Sequence, residues 1–294
     1  QMNRNKNNTK AVKTVALMMA ATVIAKLLGM LRSVLQASIY GTTAEANAFV
    51  AASKLPLAFF DMLLAAAVLG CFIPVYNSFT GADGVDRERE ADRFASVFLS
   101  FIILLCSILA LVGILFADPL VSLISGNLDF ETHRLAVRLT RIMFPLVIFT
   151  GAAYTLVGVL QSKGSFIAPA MISAISNAGV VLYLALSGDR LGSFGIYGLA
   201  AAYLMSWLLQ LLTLVVPLWR RGFSFRPSLD LKNPALRRAV KMAPPIIAGS
   251  WLSPAGVLLG QYFASRVALA TDVSGATTVF DYANNIYVII AGTL

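Results

Sequence analysis

The chain has 294 residues, of which 58% are hydrophobic and only 13% are charged, and its mean hydropathy is +0.78. Soluble domains carry about 25% charged residues, so this composition excludes an ordinary soluble domain and indicates a membrane protein. The net charge of +9 does not indicate nucleic-acid binding. The basic residues lie between apolar spans, where membrane topology and anionic lipid account for them.

Long apolar spans follow one another along the chain, and stretches of about 18 or more apolar residues predict membrane-spanning helices. In chain order they cover residues 14–44, 46–82, 94–117, 142–162, 164–188, 191–219, 242–265 and 273–294. The sequence therefore predicts an all-α, polytopic membrane protein with eight transmembrane helices. Because the chain ends in or just past the eighth span, we expect the C-terminal part of the protein to lie beyond Leu294.

The basic residues predict the orientation of these helices, because cytoplasmic loops are enriched in Lys and Arg. They concentrate in the tail at residues 1–13, in the loop after span two and in residues 220–241. The loops on the opposite side carry few basic residues. We therefore predict a cytoplasmic N-terminus, with residues 1–13 as a cytoplasmic basic tail and residues 220–241 as a cytoplasmic basic loop.

Signals for a cofactor, a metal or catalysis are missing from the sequence. Cys71 and Cys106 both lie in apolar spans and suggest neither a disulfide framework nor a metal site. His133 is the single histidine, and one histidine cannot supply a metal cluster. No nucleotide-binding loop or nucleophile motif is present. We therefore expect no cofactor and no bound metal, and a protein that is not an enzyme.

Span one carries two cations of the same sign, Lys26 and Arg32, inside otherwise apolar sequence. A charge at the centre of a bilayer costs at least about 2.5–3.5 kcal/mol on insertion scales. Arg32 can extend outward to the interface, but Lys26 lies ~20 Å of helix beyond Lys13, near the membrane midplane. We interpret Lys26 as facing water or an anionic ligand.

Spans two and eight also carry polar residues. In span two, Asn47, Lys54 and Asp61 are seven residues apart, which places them on one helix face. Lys54 and Asp61 either face a shared wet cavity or make structural polar contacts between helices. In span eight, Asp281 is followed by Asn284 and Asn285.

Span seven contains three prolines, Pro244, Pro245 and Pro254. Each proline removes a helix hydrogen bond, so the span is either a hinge beside a cavity or a bent packing helix. The charged spans one, two and eight together with this kinked span would form a natural cavity wall.

The stretch AKLLGMLRSVLQASIYGTTAEANAFVAASKLP, residues 25–56, resembles the start of the MurJ (MviN) family of the MOP superfamily. The resemblance rests on a basic residue, a Leu-Gly pair, an arginine, a glycine turn and a Lys-Leu-Pro segment. In this sequence the matching residues are Lys26, Leu28, Gly29, Arg32, Gly41, Ala46, Asn47, Ala48, Phe49, Lys54, Leu55 and Pro56.

The resemblance implies a MOP-type helical bundle of fourteen helices. Residues 14–219 would form the N-terminal six-helix lobe, and residues 242–294 the first two helices of a second lobe. It also implies a lipid II flippase of peptidoglycan biosynthesis in the bacterial inner membrane. Such a protein moves the undecaprenyl-diphosphate-linked precursor from the inner to the outer leaflet by alternating access through a cationic central cavity.

The resemblance further implies which residues face the substrate and which partners the protein meets. The candidate substrate-binding residues are Lys26, Arg32, Lys54, Asn47, Asp61, Asn284 and Asn285. The expected partners are lipid II or another undecaprenyl-diphosphate-linked saccharide, membrane lipids and cell-wall synthesis proteins.

Several positions depart from the family pattern. Lys26 stands where the family has arginine, Asn47 where it has aspartate, and Asn284 with Asn285 where it has an Asp-Arg pair. Two alternatives therefore stay open. One is a MOP-family exporter of another lipid-linked oligosaccharide, and the other is a non-transporting scaffold of envelope synthesis.

Overall fold

The computed structural model of the chain describes residues 2–60, 66–80, 85–125, 128–187, 195–271 and 275–291. Within those ranges the regular secondary structure is α-helical, as predicted. The helices are α1 (Met2–Tyr40), α2 (Ala44–Phe60), α3 (Ala66–Thr80), α4 (Val85–Leu115), α5 (Ala117–Ile124), α6 (Phe130–Met143), α7 (Leu146–Ser162), α8 (Ile167–Ser187), α9 (Gly195–Arg220), α10 (Pro234–Ser250), α11 (Leu252–Thr271) and α12 (Ala276–Ala291).

Six segments of the described chain are long and apolar enough to cross a membrane. They are Val12–Tyr40, Arg87–Leu115, Phe130–Ser162, Ile167–Ser187, Gly195–Arg220 and Pro234–Ala268. They correspond to predicted spans one and three to seven. Predicted span two corresponds to α2 and α3, and predicted span eight corresponds to α12. The described lengths of α2, α3 and α12 are 17, 15 and 16 residues, and each falls short of 18. The number eight is therefore approximate, whereas the all-α membrane architecture is confirmed.

Glycine allows close contact between α7 and α3. A Cβ atom at Gly158 on α7 would lie 2.8 Å from the ring of Phe72 on α3, so only glycine fits there. Phe72 in turn packs on Phe94 and Phe98 of α4, with ring centroids 5.4 and 5.1 Å away. Small residues at helix contacts are typical of membrane bundles, because they let backbones approach and maximise dispersion contacts.

Polar contacts join α3, α4 and the residue after α7 at the predicted cytoplasmic side. The ammonium group of Lys163, which follows α7, lies 3.1 Å from Asp92 and 3.3 Å from Glu88, both on α4. Tyr76 on α3 donates a hydrogen bond to the same Asp92 carboxylate at 2.9 Å. Three helices therefore meet at one carboxylate where the chain leaves the apolar region.

Predicted span seven is interrupted between α10 and α11, at Trp251. Pro254 has no backbone N–H, so it cannot donate the helical hydrogen bond to the carbonyl of Ser250. The helix accordingly ends at Ser250 and begins again at Leu252. This break lies within the proline-rich segment that the sequence indicated.

The last helix, α12, lies against α1, α2 and α11. The turn between α1 and α2 uses Gly41 with φ +54°, a left-handed conformation that favours glycine. The Tyr282 hydroxyl of α12 donates to the Gly41 carbonyl at 3.3 Å. This contact fixes the start of α12 beside the turn and brings its polar residues towards α1 and α2.

Candidate functional site

A cavity of about 520 Å³ lies among α1, α2, α8, α11 and α12. Five of the residues predicted to face substrate line it together: Lys26, Arg32, Lys54, Asn284 and Asn285. These residues come from the neighbouring helices α1 and α2 and from α12, more than 200 residues later, so the folding of the bundle brings them to one place. Asp61, which was also predicted, lies outside the described residues.

Arg32 is held against the cavity wall by two neighbours. One of its terminal nitrogens donates to the amide oxygen of Asn177 on α8 at 2.9 Å. Its guanidinium carbon lies 5.5 Å from the ring centroid of Tyr203 on α9, which is cation–π geometry. The buried Nε of Arg32 has no hydrogen-bond partner in the described part of the chain. The protein therefore orients the guanidinium, and the contact with Asn177 uses one of its five N–H donors.

Asn177 connects the side chain of Arg32 to the backbone of α1, the helix that carries Arg32. Its amide nitrogen donates to the Ala25 carbonyl of α1 at 3.1 Å, while its oxygen accepts from Arg32. A Cβ at Gly29 would lie 3.2 Å from the same amide nitrogen, so the absence of a side chain there makes room for Asn177. The Leu-Gly pair of the first helix thus has a physical reason, which is the close approach of α8.

Lys26 also lines the cavity, one and a half turns before Arg32, and its side chain is half-buried. Ser173 and Asn177 of α8 form the facing wall. That Lys26 faces water or an anionic ligand there stays a prediction. The two basic side chains of α1 therefore contribute positive charge to one compartment within the helix bundle.

Lys54 of α2 forms an ion pair with Asp281 of α12. Asp281 is only 6% exposed, and Asn285 donates a hydrogen bond to its other carboxylate oxygen at 3.1 Å. A buried ion is stable when it is both paired and hydrogen-bonded, and this carboxylate is both. The sequence analysis placed Lys54 with Asp61 and did not identify Asp281 as its partner.

Asn47 does not line the cavity. It is buried, and its amide oxygen accepts hydrogen bonds from the hydroxyls of Thr277, at 3.5 Å, and Thr278 on α12. These contacts join the start of α2 to the start of α12, alongside the Lys54–Asp281 pair. Asn47 and Lys54 therefore connect the same two helices at successive levels.

Asn177 and Tyr203 are site residues that sequence reasoning missed. Both lie in spans without charged residues, and one uncharged polar side chain in such a span does not by itself indicate a binding site. Their polarity inside an apolar span was the available signal. Tyr203 also donates to the side chain of Gln36 on α1 at 3.1 Å, so α9 is tied to α1 beside Arg32.

A bundle of apolar helices around a cavity with several polar and basic side chains defines a polytopic membrane protein. Solved structures show the same fold. The chain superimposes on "Lipid II flippase MurJ, inward closed conformation" with a TM-score of 0.75 and 21% identity, covering 94% of this chain and 55% of that one. A MATE family transporter of the MOP superfamily in an inward-facing conformation gives a TM-score of 0.66 and 19% identity, covering 91% and 60%. The MOP-type fold is therefore confirmed.

The family follows from the sequence comparisons. The profile described as "Lipid II flippase MurJ" matches residues 36–293, and the chain belongs to this family. The "Probable lipid II flippase MurJ" of Bdellovibrio bacteriovorus is 29% identical over 262 residues, covering 88% of this chain and 49% of that protein. The "Lipid II flippase MurJ" of Burkholderia cenocepacia is 26% identical over 272 residues, covering 90% and 51%. The chain spans about half the length of the curated relatives it matches.

The family and the apolar helices together identify a multi-pass inner-membrane protein. The resemblance drawn from residues 25–56 is confirmed by the match, which begins at residue 36 and continues almost to the end of the chain.

Proposed function

We propose that this chain forms part of a lipid II flippase, which moves the undecaprenyl-diphosphate-linked precursor from the inner to the outer leaflet by alternating access. One observation carries the proposal: Lys26, Arg32 and Lys54 line a single cavity enclosed by membrane helices. The family of the chain agrees with it.

The chemistry of the substrate explains why such a cavity needs cations. A diphosphate that enters the membrane loses its water, and an unpaired buried charge costs several kcal/mol. Arg32 offers a planar donor fork, which suits phosphate oxygens, and Lys26 adds a mobile point charge nearby. Because Asn177 and Tyr203 already orient Arg32, little conformational entropy is lost when an anion binds.

The contacts between α2 and α12 suggest how the cavity is controlled. In the proposed division of the chain, α2 belongs to the six-helix lobe of residues 14–219 and α12 to the second lobe, which starts within residues 242–294. The Lys54–Asp281 pair and the hydrogen bonds of Asn47 then connect the lobes. Alternating access requires these contacts to be present while the cavity is closed on their side of the membrane and to separate when that side opens.

The orientation in the membrane is part of the same proposal. The N-terminus, the tail at residues 1–13 and the basic loop at residues 220–241 face the cytoplasm, where lipid II is made. The enrichment of Lys and Arg in these two segments supports a cytoplasmic location for them. The helix α10 begins at Pro234, so the last part of that loop continues as the cytoplasmic turns of a helix. Cell-wall synthesis proteins are the expected partners on either side.

A second candidate function has one observation in its favour. Asn284 and Asn285 occupy cavity positions where the family has an Asp-Arg pair, and neither amide carries charge. A cavity with this altered set suits a different undecaprenyl-linked saccharide, whose diphosphate is the same but whose sugar contacts differ. Transport of another lipid-linked oligosaccharide is therefore the alternative to test.

Rescue of a bacterial strain depleted of its own lipid II flippase separates these functions. The complete gene encoding this chain should restore growth, and Arg32→Ala should not, although its protein accumulates in the membrane. Arg238→Ala is a matched control, because Arg238 is an exposed arginine on α10 that does not line the cavity. Failure of the unaltered gene to rescue, despite normal membrane insertion, would favour the other saccharide.

A further inference from the structure

A groove lies between α3, α4 and α10, away from the cationic cavity. Its deeper part, about 340 Å³, has an apolar lining that includes Cys71 on α3, Leu105 and Leu109 on α4, and Ala243 and Ile247 on α10. An apolar lining between membrane helices is chemically suited to a hydrocarbon chain.

The shallow part of the groove has a different chemistry. About 450 Å³ in volume, it is lined by Arg237 and Lys241 together with Leu231. Phe101 and Val240 line both parts, so they form one continuous groove. The two cations are one helical turn apart on α10, which places them on the same face.

The groove changes from charged to apolar in the same direction as the membrane does from its surface to its interior. Along α4, which begins at Val85 on the predicted cytoplasmic side, Phe101 comes about 12 Å before Leu109. Along α10, Arg237 and Lys241 come before Ala243 and Ile247. On both helices the residues of the cationic part come nearer the predicted cytoplasmic end than the deepest residues of the apolar part.

The two cations have donor capacity for an anion. Both side chains are exposed, and neither forms an ion pair with an acidic residue in the described part of the chain. The nearby Asp230 contacts Arg93 of α4 instead, at 3.8 Å. A basic pocket at the cytoplasmic end of membrane helices is the kind of surface that anionic lipid headgroups occupy.

We propose that this groove binds an anionic glycerophospholipid of the cytoplasmic leaflet. One acyl chain fills the apolar part between α4 and α10, and the phosphate lies between Arg237 and Lys241. The site lies apart from the proposed substrate cavity and does not depend on flipping. A lipid bound there contacts α4 and α10 at once and so stabilises α10 beside the first lobe.

Lipid titration of the full chain, purified in mild detergent and followed by native mass spectrometry, tests this site. Dioleoyl phosphatidylglycerol should bind more tightly than dioleoyl phosphatidylethanolamine, which has no net charge. The double variant Arg237→Gln, Lys241→Gln should weaken phosphatidylglycerol binding roughly tenfold and leave phosphatidylethanolamine unchanged. Equal binding of the two lipids to the unaltered chain would overturn the proposal.

A charge-matched control uses Arg220→Gln with Arg238→Gln, two exposed arginines outside the groove. This variant should keep the preference for phosphatidylglycerol; an equal loss would assign the effect to general surface charge. Ala243→Leu, which narrows the apolar part, should weaken binding of both lipids. Displacement of phosphatidylglycerol by equimolar undecaprenyl phosphate would assign the groove to polyprenyl lipids instead and reject a glycerophospholipid site. Thermal unfolding midpoints close to that of the unaltered chain show that each variant is folded.

Discussion

Lys54 on α2 and Asp281 on α12 form an ion pair inside the helix bundle, and Asn285 donates a hydrogen bond to the same carboxylate at 3.1 Å. The pair joins residues from opposite ends of the chain. Because Asp281 is only 6% exposed, its charge depends on Lys54 for compensation. The contribution of this ion pair to stability can therefore be measured by substituting each partner.

Lys54→Met should destabilise the protein by about 3–5 kcal/mol, because it leaves an uncompensated carboxylate in the interior. Asp281→Asn should cost less, since Lys54 lines the cavity and its side chain is more exposed than that of Asp281. The double variant should recover most of the stability lost in Lys54→Met. Thermal unfolding in detergent measures all three.

Lys232→Met is the control for this cycle, because Lys232 is exposed in the basic loop and its loss should change stability by no more than about 0.5 kcal/mol. A double variant as unstable as Lys54→Met would show that Lys54 stabilises the protein without acting through Asp281.

Two helical glycines should respond in opposite ways to substitution. Gly29→Val should displace Asn177, because a Cβ at position 29 already lies 3.2 Å from the amide nitrogen of Asn177. Gly249→Ala should be neutral or stabilise by up to about 1 kcal/mol, because nothing lies within 4 Å of a Cβ there and alanine is the better helix former. Unfolding midpoints of the two variants provide the comparison. Equal responses would contradict the close contact between α1 and α8.

Membrane orientation is tested by cysteine labelling in intact cells. After substitution of the native thiols Cys71 and Cys106, Glu131→Cys should react with an impermeant maleimide added outside. Ser224→Cys, in the basic loop, should react only after the membrane is permeabilised. Both positions are exposed in the structure, so access to the reagent depends on the side of the membrane. Labelling of Ser224→Cys from outside would reverse the proposed orientation.

Hydropathy and insertion cost made much of this protein predictable from its sequence. Most apolar spans are long enough to read directly, and Lys26 was placed at a cavity because a charge in hydrocarbon is costly. The partner of Lys54 was not predictable in the same way. Asp61 lies on the same helix face seven residues away, whereas contact with Asp281 depends on how α12 packs against α2.

The role of Asn177 shows a second limit. One amide in an uncharged span gives no indication of which helix it will face. Its contacts with Arg32 and Ala25 depend on the close approach of α8 to Gly29, which is a tertiary feature. Periodicity along one helix carries no information about that approach.

Arg32 and Lys26 are the two basic residues of α1 that line the cavity. Arg32→Ala and Lys26→Ala should each abolish rescue of a strain depleted of its lipid II flippase, because the diphosphate loses a partner for its charge. Membrane insertion should be unchanged or improved, since a costly charge is gone.

Arg32→Lys separates charge from geometry: it keeps the cation and removes the bidentate fork, so low activity would indicate that the fork is needed. Asn177→Ala keeps Arg32 but removes its hydrogen-bond partner, and a transport rate about tenfold lower is expected from the loss of one charge-assisted hydrogen bond that orients the fork. Growth rates and membrane protein levels are measured together, with Arg238→Ala as the exposed-arginine control. Full rescue by the double variant Lys26→Ala, Arg32→Ala would reject the diphosphate role and leave both cations as determinants of packing or topology.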